Sequence, residues 1–339
     1  MEKAPILITV FDRPKHFRSC IESLAKNQEA KDMILYISSD GPTDAESAVR
    51  VAEVRDYIKS IIGFKKIISF LPLVNTNSEV KIKAYDELRT NHCRYILTED
   101  DNFFSPTALK FFNNALDIYE KNEKIIAVSG YMYPGFPAKC YEQVFLQIVA
   151  CYGVALWRDK DIGPPHFDEI GLSKEVLGDK NLFKQISRIL PHTSLMIQAI
   201  AEGRLTAGDV TRSIIAIKQN KYSVYPSVSL VRNMGYDGSG EHCGINNIYE
   251  TQKICDEEII FNLAKPIEAS RFDVKWLNTF FGGRFAQIYG LLVFLKFNAN
   301  HLISRIFFTG ILKTYEKVYG KSNILVSRAR QFWHRQSSS

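Results

Sequence analysis

The first 130 residues alternate between short apolar runs and longer amphipathic stretches. Pro5 to Phe11 reads Pro-Ile-Leu-Ile-Thr-Val-Phe, a continuous apolar run expected of a strand buried on both faces. Asp12-Arg13-Pro14 breaks it, and Phe17, Cys20, Ile21 and Leu24 follow at helical spacing. Met33 to Ser38 predicts a second strand, closed by the turn residues Ser39-Asp40-Gly41-Pro42. Helices are predicted over Thr43 to Ile62, Lys81 to Leu88 and Pro106 to Glu120, and further strands over Lys66 to Phe70, Tyr95 to Leu97 and Ile125 to Ser129. Strands alternating with helices in this way predict an α/β fold with a mostly parallel, doubly wound sheet.

Beyond residue 130 the pattern loosens. Residues 131–165 are rich in aromatics, Gly and Pro. Asn181 to Gly203 and Ala207 to Asn220 read as helices, and Tyr222 to Val231 as one or two strands around Pro226. The run from Asn233 to His242 holds three glycines, a loop whose backbone needs unusual dihedrals or close approach to something. No internal repeat is present, and Ser337 to Ser339 reads as a disordered tip.

Composition narrows the picture. A chain of 339 residues has room for one large α/β domain plus an extension, or for two domains. Its 46% hydrophobic and 24% charged content suits a folded soluble chain with a sizeable core. The charge is uneven: residues 271–339 hold 11 Lys/Arg against 2 Asp/Glu, and the first 270 hold 32 against 35. Such a tail expects an anionic partner. The six cysteines are scattered, with neither a CxxC pair nor zinc spacing, and are expected to be reduced thiols of a cytosolic protein. Met1 to Ala4 leads directly into the first strand with no signal-peptide pattern, and no run of 18 uncharged apolar residues predicts a spanning helix.

The stretch Tyr95 to Pro106 carries the candidate chemistry. A short apolar strand runs into three consecutive acids, Glu99, Asp100 and Asp101, and Ser105-Pro106 then offers an N-cap and a first helical residue. Three adjacent carboxylates repel one another and call for a cation. Hard oxygen ligands suit Mg²⁺ or Mn²⁺, which keep waters and bridge to substrate phosphates. In an open α/β sheet such a site belongs at the carboxyl ends of the strands. The alternative is a solvated acidic turn favoured by the following helix N-terminus. No G-x-G-x-x-G follows the first strand, so the dinucleotide-binding fingerprint is absent.

Several of these segments together resemble a GT-A-fold glycosyltransferase, nearest to bacterial family 2-type sugar transferases and more distantly to N-acetylglucosaminyltransferase I. The pieces that carry the resemblance are Pro-Ile-Leu-Ile-Thr-Val-Phe-Asp-Arg-Pro at 5–14, Ser-Asp-Gly-Pro at 39–42, Glu-Asp-Asp at 99–101, Ser-Gly-Tyr at 129–131, Tyr-Gly-Val-Ala-Leu-Trp at 152–157, Gly-Asp at 208–209 and the run from Tyr225 to His242. Each is weak alone; their order and spacing are specific. The likeness spans about residues 4–245 and leaves the tail after about residue 265 uncovered.

The resemblance implies a GT-A domain over residues 1–265 and a helical basic region over 266–339. It implies that Thr9, Phe11, Arg13 and Asp40 border a nucleotide pocket, with Arg13 at the diphosphate or base and Asp40 at the uracil or ribose. Asp101 would ligate Mn²⁺ or Mg²⁺, Asp100 would meet the ribose or donor sugar, and Glu99 would act through hydrogen bonds. Asp209 would be the general base that takes the acceptor proton, and the absence of a second nucleophilic carboxylate fits inversion. His242 would be a second metal ligand or diphosphate contact, and Trp157 and Tyr152 sugar platforms. Plain alternatives stand beside these roles: an Asp-Gly turn for Asp40, a surface ion pair for Arg13, an N-cap for Asp209, core packing for Trp157.

This sequence departs from the family at two places. Asn77-Ser78-Glu79-Val80-Lys81 lacks the Asn-x-Gly usual after the third strand, so Lys81 or Lys83 is expected to supply a phosphate contact. Gly153-Val154-Ala155-Leu156-Trp157 replaces a Gly-Trp-Ala-Thr-Trp-like segment.

The basic, aromatic tail from Phe280 to Trp333 fits amphipathic helices on an anionic membrane surface, or a helical cap with a solvated basic face. The overall expectation is a metal-dependent, inverting transferase of hexosyl or N-acetylhexosaminyl groups. It would take a nucleotide-sugar, with UDP the expected base, and act on a glycan or lipid-linked glycan. Its place would be the cytoplasmic membrane face, in surface-polysaccharide assembly, with no nucleic-acid partner. The rival readings are a catalytically silent scaffold of the same fold and a sugar-phosphate nucleotidyltransferase.

Overall fold

The computed structural model describes residues 2–137, 141–161, 167–239, 245 and 247–297. The strands are β1 (Ile6–Val10), β2 (Ile34–Ser39), β3 (Lys66–Phe70), β4 (Arg94–Glu99), β5 (Asn102–Phe104), β6 (Ile125–Ser129), β7 (Gln143–Leu146), β8 (Val154–Trp157), β9 (Tyr222–Pro226) and β10 (Val231–Asn233). The helices are α1 (Pro14–Ala25), α2 (Ala45–Ile58), α3 (Glu79–Asn91), α4 (Ala108–Tyr119), α5 (Glu169–Gly178), α6 (Lys180–Ile189), α7 (Ser194–Ala201), α8 (Gly208–Lys218), α9 (Asn247–Glu250), α10 (Arg271–Phe280) and α11 (Gly283–Phe297).

Eight strands form one sheet in the order β3-β2-β1-β4-β8-β6-β9-β7, and β5 and β10 form a separate antiparallel pair. β3, β2, β1 and β4 run parallel, as do β6 and β9; β8 lies antiparallel between β4 and β6, and β7 antiparallel at the edge. The sheet is thus the mostly parallel α/β kind that the alternation predicted. All five strands expected in the first 130 residues are present within two residues of their expected bounds. β1 and β6 are apolar but for Thr9 and Ser129 and nearly wholly buried, as strands covered by helices on both faces must be.

Where the structure differs from the expectation, the reason is local. The single helix expected over Asn181 to Gly203 is broken into α6, a short 3₁₀ turn at Pro191–Thr193 and α7. Pro191 has no N–H and clashes with a preceding turn, so it can only open a new helix. The helix expected from Pro106 begins at Ala108, with Thr107 rather than Ser105 at its cap. Ser105 instead donates its backbone N–H to the Leu230 carbonyl at 2.8 Å, which ties the chain after β5 to β10. Tyr222 to Val231 resolves into two strands, Pro226 ending the first.

The C-terminal helices α10 and α11 pack against α6, α7 and the turn at Pro191. Leu277 and Phe281 are buried there, and Asn278 donates to the Arg188 carbonyl at 2.9 Å. Among the described residues no helix is long and apolar enough to cross a membrane.

One charged cluster lies deep in the fold and holds its two halves together. Asp161, just past β8, has a fully buried carboxylate. It accepts from Arg212 Nε on α8 at 3.1 Å, from Tyr95 on β4 at 2.8 Å and from Tyr85 on α3. Burial pushes the Asp161 carboxyl up, but the Arg212 charge and these bonds outweigh it and hold it below the usual carboxylate range. Removing one member leaves the other charge buried and unpaired. Asp161→Ala is therefore expected to cost about 3–5 kcal/mol in urea unfolding. The double replacement Asp161→Leu with Arg212→Met should recover most of that loss.

Candidate functional site

The carboxyl ends of β1, β2 and β4 meet at one cleft. β1 and β4 are in register with Thr9 opposite Glu99, and Asp100 donates its backbone N–H to the Thr9 carbonyl at 3.1 Å. Asp100 and Asp101 make the tight turn between β4 and β5. Both are buried, although β4 and β5 themselves are bordered by solvent at Glu99. β10 runs alongside β5, so the Asp101 carbonyl accepts from Met234 at 2.7 Å and Gly235 lies against the Asp101 carboxylate. A side chain at 235 would occupy the place of that carboxylate oxygen, and this close approach is what the glycine is for.

Arg13 supplies the cation that the three acids call for. It sits at the turn between β1 and α1 and is about one-fifth exposed. Its Nε donates to Asp100 at 3.1 Å and its Nη2 to the other oxygen of the same carboxylate; its Nη1 donates to Asp101 Oδ2 at 3.0 Å. Burial alone would lower the guanidinium's pKa, yet Asp100 and Asp101 raise it overall. The Asp100 carboxyl is pushed up to about 7, because burial outweighs the pull of Arg13. Asp101 Oδ1 is different: it is buried and has no hydrogen-bond partner.

Glu99 is open to solvent yet ringed by protein, as a residue lining a concavity is. Desolvation first and the Asp101 charge second raise its pKa, while Lys81 and Arg13 act the other way and Asp209 adds to the rise. The Cys151 thiol, pushed up to about 12 by burial first, also feels Arg212, Asp209 and Glu99. The Asp209 charge thus acts on both Glu99 and Cys151. Asp209 is the second residue of α8; the cap position is Ala207, which makes no side-chain cap bond. Asp209 accepts from the Val210 N–H at 2.8 Å, within the positive end of the helix dipole.

Asp40 has a different role from its neighbours. Its Oδ1 accepts from Gly41 at 2.7 Å and from the backbone and hydroxyl of Thr76 at 2.9 Å each, and its Oδ2 accepts from Ser78 at 3.0 Å. It staples the end of β2 to the loop before α3. In that loop Asn77 and Ser78 both adopt left-handed backbone, with φ of 50° and 75°. The Asp40 bonds to Thr76 and Ser78 hold these non-glycine residues in that geometry.

The structure thus brings Arg13, Asp100 and Asp101 into contact beside Thr9 and Glu99, with the charges of Lys81 and Asp209 acting on Glu99, Phe11 at the turn beside Arg13 and Asp40 one strand away. Trp157 is not among them. It is 2% exposed, lies opposite Arg94 at the far end of β4, and donates its ring N–H to the Leu116 carbonyl at 3.2 Å. Its environment is core packing, because β8 runs antiparallel to β4 and carries its last residue away from the acids. His242 lies outside the described residues. Asp161 and Arg212, which fix α8, were not singled out in the sequence. The available signal was one arginine just before the apolar run from Ile214 to Ile217.

No family model matches the chain, and no curated protein sequence matches it. Solved structures similar to it are sugar transferases. The residue 1–349 form of S. aureus TarS shares 11% identity over 69% of this chain and 61% of its own, with a TM-score of 0.39. Against a longer S. aureus TarS chain, this chain spans only 28% of its length. A mannosyltransferase from Pyrobaculum calidifontis, PcManGT, solved with GDP-Man and Mn²⁺, shares 11% identity over 64% of this chain and 68% of its own, at a TM-score of 0.36. Mouse xyloside xylosyltransferase 1 shares 12% identity over 65% and 83%, also at 0.36. At these values the likeness is one of overall architecture, and the mixed, mostly parallel α/β fold stands on the strand order itself.

The Asp40 bonds give a pH signature. Burial raises this carboxyl, but the bonds from Thr76, Ser78 and Gly41 outweigh it and hold it below its ordinary value. Its stabilisation is therefore present above about pH 4 and lost as pH falls through the lower folded value. Asp40→Asn is expected to lower Tm at pH 7, and the gap from wild type should close below about pH 4.

Proposed function

We propose that the protein is a metal-dependent, inverting glycosyltransferase that moves a hexosyl or N-acetylhexosaminyl group from a nucleotide-sugar, with UDP the expected base, to a glycan hydroxyl. The observation that carries this reading is the buried, unpartnered Oδ1 of Asp101 beside Arg13, at a turn whose Glu99 feels the charges of Lys81 and Asp209. A buried carboxylate oxygen without a donor costs free energy unless something positive reaches it. Arg13 satisfies only Oδ2. Among the described residues no cluster of three or more His, Cys, Asp or Glu side chains would hold a metal. Mg²⁺ and Mn²⁺ commonly use one or two carboxylates together with waters and substrate phosphates.

Asp101 would hold Mn²⁺ or Mg²⁺ through Oδ1. When bound, the metal offsets the negative charge that builds on the departing diphosphate. Arg13 keeps Asp100 and Asp101 fixed in place and, with Lys81 on α3, adds positive charge where the phosphates would lie. Thr9 and Phe11 border the nucleoside. Asp209, at the start of α8, takes the proton from the attacking hydroxyl. A single base opposite the donor, with no second carboxylate placed as a nucleophile among the described residues, supports inversion.

The C-terminal region supports a peripheral place at the cytoplasmic face of a membrane, on a lipid-linked or surface-polysaccharide glycan. Phe272, Ile288 and Leu291 on α10 and α11 are exposed, and the region's excess of basic residues favours an anionic lipid surface.

The test uses thermal stability with UDP-GlcNAc and GDP-mannose, each with and without Mn²⁺, on wild type, Asp101→Asn and Asp209→Asn. A ligand at 100 times its Kd stabilises the folded state by about 2.7 kcal/mol. One nucleotide should raise Tm with Mn²⁺ in the wild type and in Asp209→Asn, and fail to do so in Asp101→Asn. In Asp209→Asn transfer should fall by about 10²–10⁴-fold. Absence of any shift in the folded wild type would sink the reading.

A further inference from the structure

Beside the acid turn lies an open cavity walled by aromatic rings. Asp209 lines it. The cavity adjoins the acids through Gly235, which packs on the Asp101 carboxylate, and Tyr236, the next residue, which lines the cavity wall. Resting on the transferase reading, we propose that this cavity receives the acceptor, and that the acceptor is an uncharged pyranose held by aromatic stacking.

The lining has two properties that point to this class. The first is its rings: Tyr133, Tyr152, Tyr236, Tyr249, Phe280 and Phe281 all face the cavity. They are held by one another rather than left free. Tyr236 stacks on Tyr249 at 3.9 Å and 10°, and His192 stacks on Phe281 at 4.0 Å and 20°. Tyr133 meets Phe281 edge-on at 4.9 Å, and the Tyr152 and Tyr236 hydroxyls are 3.5 Å apart. Walls fixed before binding lose little conformational entropy when a ligand arrives. Flat apolar faces with hydroxyls at their rims match a pyranose, whose C–H face is apolar and whose edge is polar.

The second property is charge. Asp209 is the one carboxylate in the lining, and no lysine or arginine is present among the described lining residues. The acid turn is different, with Arg13 in contact and the Lys81 charge acting on Glu99. An acceptor bearing a phosphate or carboxylate in the cavity would face Asp209 with no lysine or arginine among the described lining residues to answer it, His192 being the basic side chain there and stacked on Phe281. Like charges brought together in a partly dry site repel strongly. The cavity therefore selects neutral sugars, while the neighbouring cleft handles the anionic donor.

The architecture adds one more consequence. Phe280 and Phe281 belong to the junction of α10 and α11, outside the sheet. The C-terminal helices thus form part of the acceptor wall, and acceptor choice is set partly by a region far in sequence from the acids.

The experiment is saturation-transfer NMR with the full chain and a panel of methyl glycosides: glucoside, galactoside, mannoside and N-acetylglucosaminide, against the methyl glucuronide and galacturonide. At least one neutral glycoside should receive saturation at its ring protons, with the uronides at least tenfold weaker. Asp209→Asn removes the charge with little change in shape, and should narrow the gap between neutral and anionic sugars by tenfold or more. Phe281→Ala, and Phe280→Leu as a milder loss of ring, should each weaken the neutral sugar without removing the Mn²⁺-dependent nucleotide shift.

Equal binding of uronides and neutral sugars, an unchanged ratio in Asp209→Asn, or no binding by any neutral glycoside would overturn the inference. Nucleotide shifts on the same samples separate the two failures. A nucleotide that binds where no neutral sugar does defeats this inference alone. Sugar binding without any nucleotide shift defeats the transferase reading instead.

Discussion

The site depends on how three adjacent carboxylates are tolerated at the end of one strand. Glu99, Asp100 and Asp101 sit where the backbone turns from β4 into β5, and two of them are buried. Left alone they would repel one another and resist burial. Arg13 makes the arrangement possible by reaching from the next strand with three of its N–H groups. It satisfies Asp100 completely and Asp101 by half. The remaining Asp101 oxygen is a carboxylate oxygen still owed positive charge, and the transferase reading follows from that imbalance.

A second charge pair does for the opposite wall what Arg13 does for the first. Asp161 and Arg212 are buried together with two tyrosine hydroxyls in contact with the carboxylate. Apolar residues of the same volume would hold the core as well. What the pair adds is direction. It joins α8 to the far end of β4 and β8, and Asp209 stands one turn above Arg212 on that helix. The position of Asp209 is therefore set from below, by bonds that no solvent reaches.

The antiparallel strand β8 explains why the cleft and the aromatic cavity are neighbours but differ in character. By entering the sheet between β4 and β6 it carries Trp157 away from the acids and leaves residues 148–152, before the strand, at the acid end. There they meet the start of α8 and the Gly235–Tyr236 turn. One side of the boundary collects charged side chains from strand ends. The other collects rings from loops and from the α10–α11 junction.

Much of the first half was legible in the sequence. Continuous apolar runs, turn residues and helical spacing are local signals, and they located all five expected strands, the acid turn and its place at the strand ends. The sequence also held the order of motifs that led to Arg13, Asp101 and Asp209. It could not show that Asp40 folds a loop rather than standing free, because its partners Thr76 and Ser78 lie 36 and 38 residues away. Nor could it tell Trp157 the core residue from Trp157 the sugar platform: that depends on strand direction, which the apolar pattern of four residues does not encode. Local pattern determined which elements form. Non-local pairing decided which ends of them meet, because strand direction and buried ion pairs are settled only when distant segments compete for the same space and the same hydrogen-bond partners.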